Sequence, residues 1–483
     1  MRKLIEEIRR YEEAATALDP GAEERRHLLD RVSAYTEQFL ESLPSRPAFI
    51  NSETQGRALY DSPISETGAD IDAVLRLFKE QVVDIGLSPV SGKFLAYIPP
   101  CATYHGALGD FLAAVTNEFS GNFFNCPGAV RMEHQLIRWL AGIIGYPRAA
   151  HGNLASGGST AMLTCVVTAR EAHGLKARDY ERTVVYMTEH THHSMHKALH
   201  VAGMGECVKR IVPMDSDYRM DPRHLDELIA GDRKQGLNPW MLVASSGTTD
   251  VGAVDPLDRL GEIAKRQGLW YHVDGAYGGL FILSDRVKDR FKGIELSDSV
   301  VMNPHKALFT PFGLGVALVR DGALLSRALF HTANYMQDSL AGTEEVSPAD
   351  TGLELTRHFR APRLWLPLKL IGVAPFRAAL SEKILLTRYA WEKMRAMEGM
   401  DVSPYPDLSV FAFRYVPKHG DADEFNRRLN EELLRDGTVF LSSTVIDGRY
   451  MIRFAVLSFR THVETIDLAI EIIERGIRRV GGD

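Results

Sequence analysis

Residues 269–279 read LWYHVDGAYGG, and residues 299–308 read SVVMNPHKAL. Each is a short apolar run that ends abruptly in polar and small residues. Asp274 closes the first run; Asn303, His305 and Lys306 follow the second. Runs of this length, bounded by turn residues and enriched in Val, Trp and Tyr, read as buried strands. Working outward, further strands are predicted at 183–187, 241–244 and 315–320, with helical spacing between them at 161–173 and 257–267. Strands that alternate with helices need crossover connections, so the expected architecture is α/β with a mainly parallel central sheet. Ligands of such sheets collect beyond the carboxyl ends of the strands. Asp274 and Lys306 stand at that edge.

The flanks read differently. Residues 22–43 place Leu28, Leu29, Val32, Tyr35, Phe39 and Leu40 at helical spacing, and residues 71–85 form a second amphipathic stretch. No strand pattern is convincing before residue 94. A helical N-terminal segment over 1–105 is expected, packing on a dimer partner. Residues 106–365 then form the large α/β domain. In the last hundred residues, 408–416 and 450–457 read as strands, and 424–435 and 463–479 as helices. That order predicts a small α+β domain over 366–483.

Composition narrows the class. A chain of 483 residues suggests about three domains at roughly 150 residues each. Lys plus Arg number 56 against 63 Asp plus Glu, and a net charge of −7 points away from nucleic acid. Cys101, Cys126, Cys165 and Cys207 form no CxxC pair, so neither a disulfide framework nor a zinc ribbon is expected. The start, MRKLIEEIRRYEEA, is charged throughout and lacks a signal peptide's apolar core. No run of eighteen apolar residues occurs, so no membrane span is expected. These features predict a cytoplasmic enzyme.

Four segments carry the chemistry. A lysine at the end of a buried strand is costly to keep charged, and a lysine of lowered pKa forms a Schiff base with a carbonyl; a surface lysine after a strand is the blander reading of Lys306. Asp274, followed by Gly275, Ala276, Gly278 and Gly279, can pair with a protonated pyridine nitrogen above a flat shelf, or merely cap a turn. ASGGST, residues 155–160, offers backbone N–H groups and hydroxyls to one phosphate at a helix start, or is a plain N-cap. It is neither GxxxxGK[ST] nor GxGxxG, so ATP and dinucleotides fit poorly. TEHTHHSMHKALH, residues 188–200, spaces His192, His196 and His200 at i, i+4, i+8. The run lacks the helix glutamate of HExxH, so no metal site is expected. One histidine stacked on a cofactor ring fits better. Together, a phosphate cradle, a ring-pairing aspartate, a flat shelf and a Schiff-base lysine are what pyridoxal 5′-phosphate requires.

With these residues in view, the sequence resembles the group II pyridoxal-phosphate decarboxylases of the aromatic-L-amino-acid decarboxylase type. FLAYIP (94–99), GGSTAML, the THHS region, SSGTTDVGAVD (245–255), HVDGAYGG, NPHK and RHFRAPRLW (357–365) carry the resemblance. It implies the fold-type I, aspartate aminotransferase-like architecture and a homodimer with shared active sites. It also implies that Lys306 carries the cofactor, that Asp274 keeps the pyridine nitrogen protonated, and that Ala276 lies under the ring with His192 stacked on its other face. Gly157, Gly158 and Ser159 match the phosphate loop, Thr249 the threonine near the ring oxygen, and Asn303 and His305 flank phosphate or lysine. Tyr335, in HTANYMQD, matches the loop tyrosine that delivers a proton to the α-carbon. The expected catalytic set is therefore Lys306, His192, Tyr335 and Asp274.

Departures from the family pattern are Ser91-Gly92 in place of His-Pro, Ala307 in place of a large aromatic, and Thr356 in place of glycine or serine. Phe94, Tyr97, Ile98, Pro99, Phe119 and Phe123 (with Phe124) are the candidate substrate walls. Apolar walls without an added arginine suit an aromatic L-amino acid better than an acidic one; ordinary core packing is the competing reading for at least half of them. Rival functions are a glutamate or cysteine sulfinate decarboxylase, an oxidative aromatic aldehyde synthase, and a catalytically silent scaffold that binds the cofactor.

Overall fold

The computed structural model describes residues 1–98, 101–331 and 345–482. Its strands, in chain order, are β1 (Phe49–Ile50), β2 (Gly86–Leu87), β3 (His151–Ala155), β4 (Thr183–Met187), β5 (Val208–Ile211), β6 (Asn238–Ser245) and β7 (Trp270–Gly275). They continue with β8 (Ser299–Met302), β9 (Gly315–Val319), β10 (Met400–Val402), β11 (Val410–Tyr415), β12 (Ser442–Ile446) and β13 (Arg449–Ala455). Seven of them form the central sheet in the order β3-β9-β8-β7-β6-β4-β5. All neighbours are parallel except β9, which runs against both β3 and β8. The expected mainly parallel α/β sheet is what forms.

Every residue of β4, β7 and β8 is buried, as strands covered on both faces must be. Side chains alternate between two cores. Leu242, Ala244, Tyr271 and Val273 share one with Leu257, Leu260 and Ile263 of helix Leu257–Gln267. Met241, Val243 and Trp270 share the other with Met162, Cys165 and Val166 of helix Gly158–Ala172. The strands missed from sequence, β3 and β5, are the two edges. β5 (VKRI) has no fully buried residue and β3 opens with His, Gly and Asn, so neither carries a continuous apolar run.

The C-terminal region makes a four-stranded antiparallel sheet, β10-β11-β13-β12, backed by helices Ala422–Asp436 and Val463–Gly481. Phe411, Phe413, Ile452 and Phe454 meet Leu429, Leu433, Ile466 and Ile473 in its core. Two of these strands, β11 and β13, were legible; β10 and β12 are again edges. Helices Arg2–Ala14 and Ala22–Ser42 bury no residue against their own chain. Helix Ile71–Phe78 ends sooner than its pattern and continues as one π turn, Lys79–Val83. The short β1–β2 pair was not expected.

One connection matters for the site. The segment from Lys93 to Tyr97 lies against the small sheet: Phe440 N–H donates to Lys93 O (3.1 Å), Leu95 N–H to Phe440 O (2.9 Å) and Ala455 N–H to Leu95 O (2.9 Å). Among the described residues no single helix is long and apolar enough to cross a membrane.

Candidate active site

The parallel register brings three strand ends level. Ser245 of β6 faces Asp274 of β7, and Gly275 faces Met302 of β8. The chain leaving each strand therefore enters one cavity. It is lined by Gly158, Ser159, His190, His192, Ser194, Ser245, Gly247, Thr248, Thr249, Asp274, Ala276, Tyr277, Asn303 and Lys306. Eight of the expected residues are thus brought together: Gly158, Ser159, His192, Thr249, Asp274, Ala276, Asn303 and Lys306.

Asp274 is buried, and one of its oxygens accepts the Ala276 N–H at 3.0 Å. Pro304 opens the four-residue helix Pro304–Ala307 that follows β8, and Lys306 sits in it. Desolvation holds the Lys306 ammonium below its ordinary range, while the charge of Asp274 pulls the other way. His192 is the N-cap of helix His193–Val201: its Nδ1 accepts from Ser194 N–H at 3.3 Å and meets Ser194 Oγ at 2.8 Å. Burial lowers its pKa, with Asp274 opposing. As a cap, His192 stands outside the helix that holds His196 and His200, and both of those are exposed. Among the described residues no group of three or more His, Cys, Asp or Glu could hold a metal ion.

The cavity fits pyridoxal phosphate on its own observations. Helix Gly158–Ala172 starts at the cavity, so its first N–H groups have no intrahelical acceptor and suit a phosphate. A Cβ on Gly158 would come within 2.7 Å of Asn303 Nδ2, so only glycine leaves that approach open. Asn303 Oδ1 is buried without a hydrogen-bond partner among the described residues. A Cβ on Gly278 would lie 1.9 Å from Ser246 O, so the shelf after Asp274 packs directly on the chain leaving β6.

Other expected residues lie elsewhere. Gly157 and His305 do not line the cavity; His305 Nδ1 meets Leu314 O at 2.6 Å, and burial pushes its pKa down to about 4. Phe94 and Ile98 are buried, Tyr97 is half exposed, and Phe94 and Tyr97 join Phe440 in an aromatic cluster with centroids 5.4–6.2 Å apart. Phe123 is buried beneath the Arg131 guanidinium, and Phe119 and Phe124 are exposed. Pro99 and Tyr335 lie outside the described residues. The Ser91-Gly92 departure has a steric reason, since a Cβ at Gly92 would sit 2.3 Å from Arg460 O.

Sequence reading missed Phe440 and Arg453. Arg453 stands at the aromatic wall, where no arginine was expected, and is 3% exposed. Its Nη2 donates to Tyr97 O (3.1 Å) and Thr249 O, its Nε to Asp250 O (3.3 Å) and its Nη1 to Ser442 Oγ (3.0 Å). The RHFR run turned out to be structural as well. Arg357 pairs with Glu133 at 3.0 Å, both buried, and Arg357 and Arg360 donate to Leu154 O just before the glycine loop.

A level row of parallel strand ends that combines a helix-start phosphate cradle, a buried aspartate and a desolvated lysine defines a pyridoxal-phosphate enzyme. The comparisons narrow this. The pyridoxal-dependent decarboxylase conserved domain matches residues 55–416, and the chain belongs to that family. It is 32% identical over 454 residues to an aromatic-L-amino-acid decarboxylase of Bacillus atrophaeus, covering 92% of this chain and 94% of the relative. A phenylacetaldehyde synthase of Petunia hybrida is 30% identical over 404 residues, covering 79% and 80%. Among solved structures, Oryza sativa TDC with PLP and tryptamine superposes with a TM-score of 0.90 at 27% identity, covering 95% of this chain and 99% of that one. The chain is a pyridoxal-phosphate-dependent carboxy-lyase of fold-type I that acts in amino acid metabolism.

Proposed function

We propose that this decarboxylase converts an aromatic L-amino acid to the corresponding amine and carbon dioxide, working in the cytoplasm as a homodimer with shared active sites. One observation carries the substrate class. The wall at Phe94, Tyr97 and Phe440 is aromatic, and the donors of Arg453 beside it are engaged by main-chain carbonyls and a serine hydroxyl. An acidic side chain would need that guanidinium free. The similarity to the Bacillus atrophaeus and Oryza sativa proteins supports the same reading.

Bound pyridoxal phosphate supplies an electron-accepting ring that stabilises the charge left at the α-carbon when carbon dioxide departs. The chain's own residues do the rest. Gly158 and Ser159 would hold the phosphate at the helix start that Gly157 caps, Asn303 would support the loop, and Ala276 and His192 would hold the ring between them. Asp274, a carboxylate, favours a proton on the ring nitrogen by charge attraction. Lys306, its ammonium destabilised by burial, is the amine that carries the cofactor between turnovers. Thr249, which lines the cavity, would hold the ring's oxygen substituent. Tyr335 is the proposed donor of the proton at the α-carbon, from the resemblance of HTANYMQD alone.

The dimer is supported by apolar surface. Leu108, Phe111, Leu112 and Val115 of helix Tyr104–Thr116 are exposed, as are Phe119 and Phe124, and no residue of the two N-terminal helices is fully buried on its own chain. The cytoplasmic location is supported by four cysteines in thiol form.

The test is one competition reaction in air. Holoenzyme is mixed with tyrosine, tryptophan, phenylalanine, dopa, glutamate and cysteine sulfinate, and products are read by mass spectrometry. Aromatic amines are expected. An amine from an acidic member would overturn the substrate class, aromatic aldehydes would overturn simple decarboxylation, and no turnover would favour a scaffold.

A further inference from the structure

Two parts of the site come from different sheets. Thr249 lines the cofactor cavity on the chain leaving β6, whereas Tyr97 belongs to the segment laid against β12 and β13. Nothing in the central sheet sets the distance between them. Tyr97 also sits at φ +53°, a left-handed backbone conformation that a tyrosine rarely adopts and that its surroundings must hold.

We propose that Arg453 is a positioning residue that joins the aromatic wall to the cofactor cavity, an inference that rests on the substrate reading above. A single nitrogen, Nη2, donates to both Tyr97 O and Thr249 O, so these carbonyls lie within two hydrogen-bond lengths of each other. Ser442, the register partner of Arg453 across β12–β13, closes the clamp: its Oγ accepts the Tyr97 N–H at 3.2 Å and the Arg453 Nη1–H at 3.0 Å. Both polar groups of the Tyr97 peptide backbone are thereby fixed, which holds φ in place and aims the ring. Thr444 Oγ1 donates to Asp250 Oδ1 at 2.6 Å, pinning the same turn from the same strand. The guanidinium is neutralised by no carboxylate at ion-pair distance among the described residues; Asp250 offers it a carbonyl, and its carboxylate goes to Thr444. Burying a charge against neutral carbonyl and hydroxyl acceptors alone is costly, which is consistent with a demand for planar, multi-pronged donation that lysine meets only in part.

The experiment compares wild-type holoenzyme with Arg453→Met, Arg453→Lys, Ser442→Ala and the Met/Ala double variant. The kinetics use the amino acid that the wild type turns over fastest. Displacing the wall raises KM about tenfold or more in Arg453→Met, with a smaller fall in kcat, because the reacting groups on β7 and β8 are untouched. The visible band of bound pyridoxal phosphate persists. Arg453→Lys recovers part of the KM, Ser442→Ala gives a smaller rise of about threefold, and the double variant is no worse than Arg453→Met, since both residues act through Tyr97. An unchanged KM with kcat and Tm falling together, or strictly additive effects, would overturn the proposal. If Arg453→Met does not fold, the KM of the lysine and alanine variants decides alone. Should the wild type prefer an acidic amino acid, the substrate reading fails by itself; the clamp also fails if Arg453→Met then abolishes only acidic turnover.

Discussion

The cofactor cavity and the aromatic cluster of Phe94, Tyr97 and Phe440 are joined through Arg453 but are built in different ways. The cavity hangs on β6, β7 and β8, three central strands that are buried and locked in parallel register. Its groups stand at the end of a strand, as Ser245 and Asp274 do, or a few residues beyond one, as Thr249, Asn303 and Lys306 do, so local sequence dictates position. The wall depends on residues 93–98, which have no strand of their own and borrow order from β12, β13 and the chain at Phe440. On the proposed reading the reacting groups are placed locally, whereas the substrate wall is held from a distance.

The comparison can be broken at its strongest point first. Lys306→Ala removes the amine of the cavity while leaving the wall intact. Amine production should fall by roughly a thousandfold or more, and the visible cofactor band should disappear. Undiminished amine by mass spectrometry would show that the row of strand ends is not where the reaction occurs.

A second change asks how far the cavity depends on its support. Glu133→Gln leaves the buried Arg357 charge without its partner beside Leu154, immediately before the glycine loop. Uncompensated buried charge of this kind costs about 3–5 kcal/mol, read as a lower urea midpoint, and pyridoxal phosphate affinity should fall with it. A loss below about 1 kcal/mol would mean that the loop is held by other contacts.

The smallest effect concerns pH. Burial pushes His151, His272 and His305 down to about 4 from 6.5. The stability they lend is complete above pH 6.5 and is lost as pH falls toward 4. Asp255, buried beneath β6, is pushed up to about 6 from 3.8, so its contribution is complete below 3.8 and is lost as pH rises through 6. The two trends oppose each other across the same window. Asp255→Asn removes the second, so stability should fall more steeply on acidification, by up to about 3 kcal/mol relative to wild type. Parallel urea midpoints for the two proteins from pH 7 to pH 4.5 would contradict this.

How much was legible follows the same division. The strands at 183–187 and 299–302 and the helix at 257–267 emerge as read, because an apolar run or stripe with both ends punctuated has one stable burial. Edge strands β5, β10 and β12 were missed because half-exposed residues leave no apolar signature, and β3 because its buried run opens with His, Gly and Asn rather than apolar residues. The basic residues of RHFRAPRLW were visible as a motif, but their service to Leu154 was not, since an ion pair across more than two hundred residues has no local trace.

Apolar runs with punctuated ends were enough to define the sheet class and to place Asp274, Asn303 and Lys306 at its carboxyl edge: each is tied to a strand by covalent proximity, and the register of a buried strand leaves little choice of direction. Tertiary structure alone decided the wall. Phe440 reaches Tyr97 by ring packing, and Ser442 and Arg453 by hydrogen bonds, across more than three hundred residues of chain that only the folded small sheet brings together.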